Sequence, residues 1–339
     1  MRSIINKLLL GTMTVASVAC TGNYLDINSN PYQPGDLSAD DYALGSAMNN
    51  LASCVVSSDV NTAQFTDCLL GGPYGGYFAD SNTSWSKTIA NFNASDDWTR
   101  VFLKSDRIIP ILYTNLTAVE NLATQTGNQV PLAIAKIIKV AAMSRVTDAY
   151  TEIGKDGSIT TPYDSQEKVY DTFFQELTEA VEVLQANPEA ALTATADYVY
   201  SGDLTKWIKF ANSLKLRLAM RLTYAAPDKA NEDNAQWNYF GTTTNPLYTA
   251  TRYNAAEGTE TGGDTHAAAD IICYMNGYND PRREKYFVQS EWGEGMEYVG
   301  IRRSIELTTL GNNVRKYSGV NVGQGDPIYW MNAAEVAFL

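Results

Sequence analysis

Two groups of residues have the types and spacing to hold a polar ligand. The first runs through Tyr74, Tyr77, Asp80, Asn82, Trp85, Asn91 and Asn93. Flat aromatic faces among amides and carboxylates can cover C–H surfaces while the polar groups take hydroxyls. The second is Trp292, Tyr298 and Arg302, beside Gly293 and Gly295, a candidate second wall of the same cleft. Each has a plainer reading. Trp85 also suits packing under its loop. The glycines flanking Tyr74 and Tyr77 also suit a chain that simply turns. Trp98 and Trp207 lie on helical stripes and read as core.

Catalytic patterns are weak. Asp96-Asp97 and the Glu257/Glu260 pair resemble the two carboxylates of glycosidic cleavage, but such acids are usually solvated surface. A single histidine, His266, rules out any two-histidine site and has no Ser or Cys partner in a diagnostic motif. Asp156-Gly157-Ser158 is too short for a calcium loop. Gly71-Gly72-Pro73-Tyr74-Gly75-Gly76 lacks the lysine of a phosphate loop. No cofactor or metal is expected. With 38 acidic and 25 basic residues, the net charge of −13 argues against nucleic acid, which needs a basic face.

The elements that must position these groups are mostly helical. Leu44, Met48, Leu51 and Val55 predict a first helix over 39–56, with Ser38 and Asp41 at capping-box spacing. Residues 57–97 read as a long loop carrying aromatics. Phe102, Ile109, Leu112, Leu116, Val119 and Leu122 suit a long helix starting at Trp98. Pro131 opens another, with Ile134, Ile138, Ala142 and Val146 on one side. Asp164 and Glu167 offer a cap for a third stripe, Val169 to Leu184. Asp203 caps a fourth, with Trp207, Ala211, Leu214, Leu218 and Leu222. Its other face, Lys206, Lys209, Lys215, Arg217 and Arg221, reads as solvated or paired with carboxylates. Four amphipathic helices in two antiparallel pairs suit a helical-repeat architecture. Residues 225–325 read as loop-rich insertion. Pro327 then opens an apolar segment, read as helical, ending at Leu339 in mid-pattern, which suggests a longer parent chain whose missing helices would cover it.

The N-terminus reads as an address. Arg2 and Lys7 precede an apolar run, Leu8 to Ala19, too short to span a bilayer. Small residues lead into Cys20, as at a bacterial lipoprotein processing site, although Ser17 stands where a bulky aliphatic is usual. This gives a signal peptide over 1–19, a lipidated tether over 20–37 and a ligand-binding body over 38–339, incomplete at its C-terminus. Acyl chains on Cys20 would hold that body on a membrane. Cys54, Cys68 and Cys273 remain; a Cys54–Cys68 disulfide and buried free thiols are both open, the thiols preferred.

Taken together the sequence resembles the SusD/RagB family of Bacteroidetes outer-membrane lipoproteins. The likeness is carried by Cys20 with Tyr24-Leu25-Asp26-Ile27-Asn28, by Tyr163-Asp164-Ser165-Gln166-Glu167-Lys168-Val169-Tyr170, by Asp203-Leu204-Thr205-Lys206-Trp207 through Arg217-Leu218-Ala219-Met220-Arg221, and by Asn279-Asp280-Pro281-Arg282 with Tyr298-Val299-Gly300. Ala333-Ala334-Glu335-Val336 resembles the start of the family's next helix.

The resemblance implies a mostly α, tetratricopeptide-like superhelix with long insertions. It implies a non-enzymatic lipoprotein facing the cell exterior. Such a protein captures a glycan and delivers it to a SusC-like TonB-dependent transporter. A peptide ligand on the same scaffold is the alternative, and a surface glycosidase a remote one. On this reading Tyr74, Tyr77, Asp80, Asn82, Trp85, Trp292, Tyr298 and Arg302 are the ligand-binding residues.

Overall fold

The computed structural model describes residues 42–57, 59–81, 102, 108–150, 153–154, 163–190, 192–193, 196–222, 238–240, 245–251, 265–326, 328–331 and 335. The signal peptide, Cys20, the Ser38/Asp41 pair, Asn82, Trp85, Asn91, Asn93 and Trp98 lie outside them. The chain divides into two units, Met1–Ala43 and Leu44–Leu339. Of the first, only Tyr42 and Ala43 are described, and both are helical.

Helix α1 (Tyr42–Ala52) ends before residue 56, where the expected 39–56 helix would end. The expected apolar positions are nonetheless all buried, Leu44, Met48 and Leu51 on the helix and Val55 in the turn just after it. The main core is then built by four long helices: α4 (Ile108–Thr126), α5 (Val130–Tyr150), α6 (Gln166–Ala186) and α7 (Leu204–Arg221). Successive members pack on each other, and α5 also touches α7. Asn128 Oδ1 accepts from Val130 N at the start of α5, and Pro131 follows in the first turn, where a missing N–H costs nothing. Helix α5 is buried well beyond the expected stripe: Ala135, Ile137, Val140 and Met143 join Ile134, Ile138, Ala142 and Val146 inside. A helix apolar on most sides suits a central position between neighbours.

The third cap differs from expectation. Ser165 accepts from Lys168 N, while Asp164 lies in a two-residue strand and pairs with the Lys168 ammonium. Asp203 does cap α7, accepting from Lys206 N at 3.1 Å. The basic face of α7 is largely paired with carboxylates, as expected. Arg217 makes a two-pronged pair with Glu335, at 2.6 and 2.7 Å, and Arg221 pairs with Asp148. Ahead of α7, buried Asp197 accepts from Val199 N, Tyr200 N, Gly202 N and Trp207 Nε1, which fixes the approach to the helix.

Two stretches correct the sequence reading. Residues 60–74 are not loop but continuous helical backbone: α2 (Val60–Ala63), a π-helical stretch Gln64–Gly71, and the short turn α3 (Gly72–Tyr74). Asp59 caps α2 through Thr62 N. Of the glycines that suggested a turn, Gly72 serves close packing, while Gly76, at φ +77°, does turn the chain. A Cβ on Gly72 would stand 2.3 Å from the Phe78 ring. Arg145 ties the stretch to α5, donating to Asp67 Oδ1 and to Val55 O, both at 2.6 Å.

The second correction concerns the apolar end. Ile328–Met331 is a strand, β6, paired antiparallel with β4 (Asn238–Phe240) rather than the start of a helix. Ile328, Trp330 and Met331 are buried while Tyr329 is exposed. Trp330 sits against Phe210 and Trp207, with ring centroids 5.9 and 6.5 Å apart. The exposed apolar surface expected there is absent for these three residues.

Strand β1 (Phe78–Asp80) pairs antiparallel with β5 (Thr265–Ala267), and β2 (Ile153–Gly154) with β3 (Tyr163–Asp164). After β5 come helices α9 (Ala269–Gly277) and α10 (Arg283–Tyr286), preceded in the chain by α8 (Pro246–Thr251). Two small cores support them, one around Ala79, Ala268, Ile301, Leu307 and Val314, the other around Ala267, Ile272, Met275 and Phe287. Among the described residues no helix is long and apolar enough to cross a membrane.

Candidate functional site

Three segments far apart in the chain meet at one cleft. The first is the tight turn after α3. Gly76 N donates to Pro73 O, Tyr77 N donates to Gly72 O, and Gly76 has φ +77°, a conformation glycine adopts without strain. The second is the start of α9, whose Ala268 N donates to Tyr77 O at 3.0 Å. The third is 300–304, held by Ala269 N donating to Ile301 O and Ile301 N donating to Ala267 O. Gly300 makes this approach possible, since a Cβ there would stand 2.4 Å from Ala268 O.

Arg303 locks the three together. Its Nε and Nη2 donate to Asp270 Oδ2 and Oδ1 at 3.0 and 2.9 Å, and its Nη1 donates to Pro73 O at 2.6 Å. These hydrogen bonds hold the Asp270 carboxyl below the ordinary carboxylate range. The cleft has a volume of about 520 Å³ and is lined by Ala269, Asp270, Cys273, Arg302, Arg303 and Ser304.

Exposed aromatic residues sit on two of the segments that meet there. The Tyr77 ring lies on the Gly75 backbone, so a Cβ on Gly75 would stand 2.8 Å from ring carbons, yet the residue is 55% exposed. Tyr74 is also exposed. The solvent face of α9 carries Asp270, Cys273, Tyr274 and Gly277 at three- and four-residue spacing, and Tyr278 follows at its C-cap. Tyr274 and Tyr278 are 68% and 82% exposed.

The expected site residues separate accordingly. Tyr74, Tyr77 and Arg302 come to this neighbourhood from both sequence clusters. Asp80 is buried in β1, in register with Thr265 of β5. Tyr298 packs on the second small core, with the Arg283 guanidinium 4.5 Å from its ring centroid. Trp292 carries the Lys316 ammonium over its ring at 5.3 Å and meets Tyr317 edge-on at 5.7 Å. The sequence reading missed Asp270, Cys273, Arg303 and Ser304. The Arg302-Arg303-Ser304 run beside Gly300 was the available signal.

The histidine and two of the cysteines are buried. His266 is buried on β5; burial first, then the charge of Arg315, pushes its pKa down to about 4, so it is neutral at pH 7. Cys54 and Cys68 are buried free thiols, and burial pushes the Cys54 pKa up to about 12. Cys273 is free and exposed, a correction to the expectation that all three are buried.

Known proteins place this architecture. The profile of the SusD-like family, described as SusD and RagB outer membrane lipoprotein, matches residues 26–339. A SusD homolog from Bacteroides uniformis is 61% identical with a TM-score of 0.80, over 88% of this chain and 65% of that one. A SusD homolog from Bacteroides thetaiotaomicron is 33% identical with a TM-score of 0.78, over 88% of this chain and 63% of that one. A SusD homolog from Flavobacterium johnsoniae, described as chitin-binding, is 26% identical with a TM-score of 0.71, over 88% and 64%. The chain thus spans slightly less than two thirds of the length of these relatives. No curated protein matches it. With the helical scaffold and the profile agreeing over nearly the whole sequence, the chain belongs to the SusD/RagB family of outer membrane lipoproteins.

Proposed function

We propose that this protein binds an extracellular saccharide without cleaving it, and passes it to a SusC-like TonB-dependent transporter. The observation that carries the binding is the cleft of about 520 Å³, whose Arg303 is bonded to the turn that carries exposed Tyr74 and Tyr77, with Tyr274 on the same helix as its Asp270 and Cys273. Phenol rings offer a flat apolar face to sugar C–H groups and a hydroxyl to sugar oxygens. Asp270, Arg302 and Ser304 supply the directional polar groups that fix orientation. The chitin-binding relative supports a saccharide as the ligand class.

Family membership supports the rest of the reading. Acyl chains on Cys20 anchor the body to the outer membrane, and the ligand face looks outward. Delivery, not chemistry, is then the task.

The test is affinity gel electrophoresis of the purified chain through a panel of soluble polysaccharides, beside Tyr77→Ala. Retardation by at least one polysaccharide, relieved in Tyr77→Ala, supports the proposal. Migration unaffected by every polysaccharide, together with binding of extended peptides, moves the ligand class to peptide.

A further inference from the structure

The charges on the cleft do not cancel. Its lining holds one carboxylate, Asp270, and two guanidiniums, Arg302 and Arg303. Asp270 is committed to Arg303 by two hydrogen bonds. Arg303 is committed further to the Pro73 carbonyl. Arg302 makes no hydrogen bond or ion pair among the described residues, and it is exposed. One cation therefore faces the cleft uncompensated, on a chain whose net charge is −13. A free guanidinium presents a planar fork of donors whose geometry matches a carboxylate. Ser304, held at φ +59°, adds a hydroxyl to the same lining.

We propose that the cleft is a subsite for an acidic sugar, in which Arg302 receives the carboxylate of a uronic acid. This rests on saccharide binding at the cleft and narrows it to an anionic class. Arg303 does not compete for the ligand charge, because Asp270 already satisfies it. Tyr77, on the turn bonded to Arg303 through Pro73, is the group to cover the neutral ring face of the same or the next residue. The chain as a whole is negatively charged, so the attraction for an anionic sugar is local to Arg302.

The experiment is calorimetric titration of the full chain with trigalacturonate and with the neutral galactose trimer of the same linkage. Both are measured at low and at moderate salt, and repeated with Arg302→Gln and Arg302→Lys. Arg302 is exposed, so the variants should keep the native melting temperature, which is checked in parallel. The proposal expects trigalacturonate to bind about tenfold more tightly than the neutral trimer. That preference should shrink with salt, vanish in Arg302→Gln and persist in part in Arg302→Lys. Neutral trimer binding as well as trigalacturonate, with Arg302→Gln unchanged, overturns the anionic subsite while leaving saccharide binding standing. Binding of neither trimer also overturns it, and the polysaccharide panel then decides the broader reading independently.

Discussion

Arg303 holds Asp270 with two nearly equal hydrogen bonds, 3.0 and 2.9 Å, while a third joins it to the Pro73 carbonyl 230 positions earlier in the chain. One side chain thereby couples the Tyr77 turn to the first turn of α9. Asp270→Asn leaves the turn in place but weakens the clamp. Arg303→Ala removes it and frees the Pro73 carbonyl. The expected result is a graded loss of saccharide affinity, larger in Arg303→Ala, with a small change in melting temperature because the pair is partly exposed. The carboxyl is held low, so its contribution is full above the ordinary aspartate range, about 4, and is lost as pH falls through the lowered value. Binding titrations at pH 7 and pH 3 check the sign.

Gly300 is a steric requirement. A methyl group 2.4 Å from the Ala268 carbonyl oxygen cannot be accommodated without moving 300–304 away from α9. Gly300→Ala should cost about 1–3 kcal/mol, the usual range for overpacking. It should also impair the cleft, since Arg302 and Arg303 ride on the displaced segment. Denaturant unfolding and ligand titration read the two effects separately.

Trp330 tests the corrected end of the chain. It packs against Phe210 and Trp207, and its carbonyl accepts from Arg217 Nη2 at 2.9 Å. Trp330→Ala should destabilise by about 3–5 kcal/mol. An apolar residue merely awaiting a missing partner would cost far less.

His266 gives a pH dependence of known sign. Its folded pKa of about 4 lies below the ordinary histidine value of 6.5. Between those values the unfolded chain binds more protons than the folded one. Stability should therefore be full above about pH 6.5 and decline as pH falls toward 4, by roughly 3 kcal/mol in all. His266→Gln should flatten that part of the stability–pH curve.

The scaffold was legible because periodic apolar spacing survives in a single sequence. Trp207, Leu214 and Leu218 repeat at helical intervals and are fully buried. The failures have local causes. Gly71-Gly72-Pro73 has turn composition, but Gly72 is small because the Phe78 ring lies on it. Ile328–Met331 could serve either period, and pairing with Asn238–Phe240 decided for strand. The cleft was half legible. Tyr74, Tyr77 and Arg302 were singled out by type, but Asp270 and Arg303 gain meaning only from contacts 33 and 230 residues apart in the chain. Trp292 and Tyr298 were chosen for the same aromatic character, and the structure gives their rings cationic neighbours, Lys316 and Arg283.

The most direct test of the cleft uses its own thiol. Cys273 lines it and is exposed, whereas Cys54 and Cys68 are buried. In the native protein iodoacetamide should label Cys273 and spare those two. Any saccharide that retards the chain in a gel should slow Cys273 labelling, as read by peptide mass spectrometry, and the protection should be lost in Tyr77→Ala. Tight saccharide binding with unchanged labelling of Cys273 would place the ligand elsewhere and contradict the account.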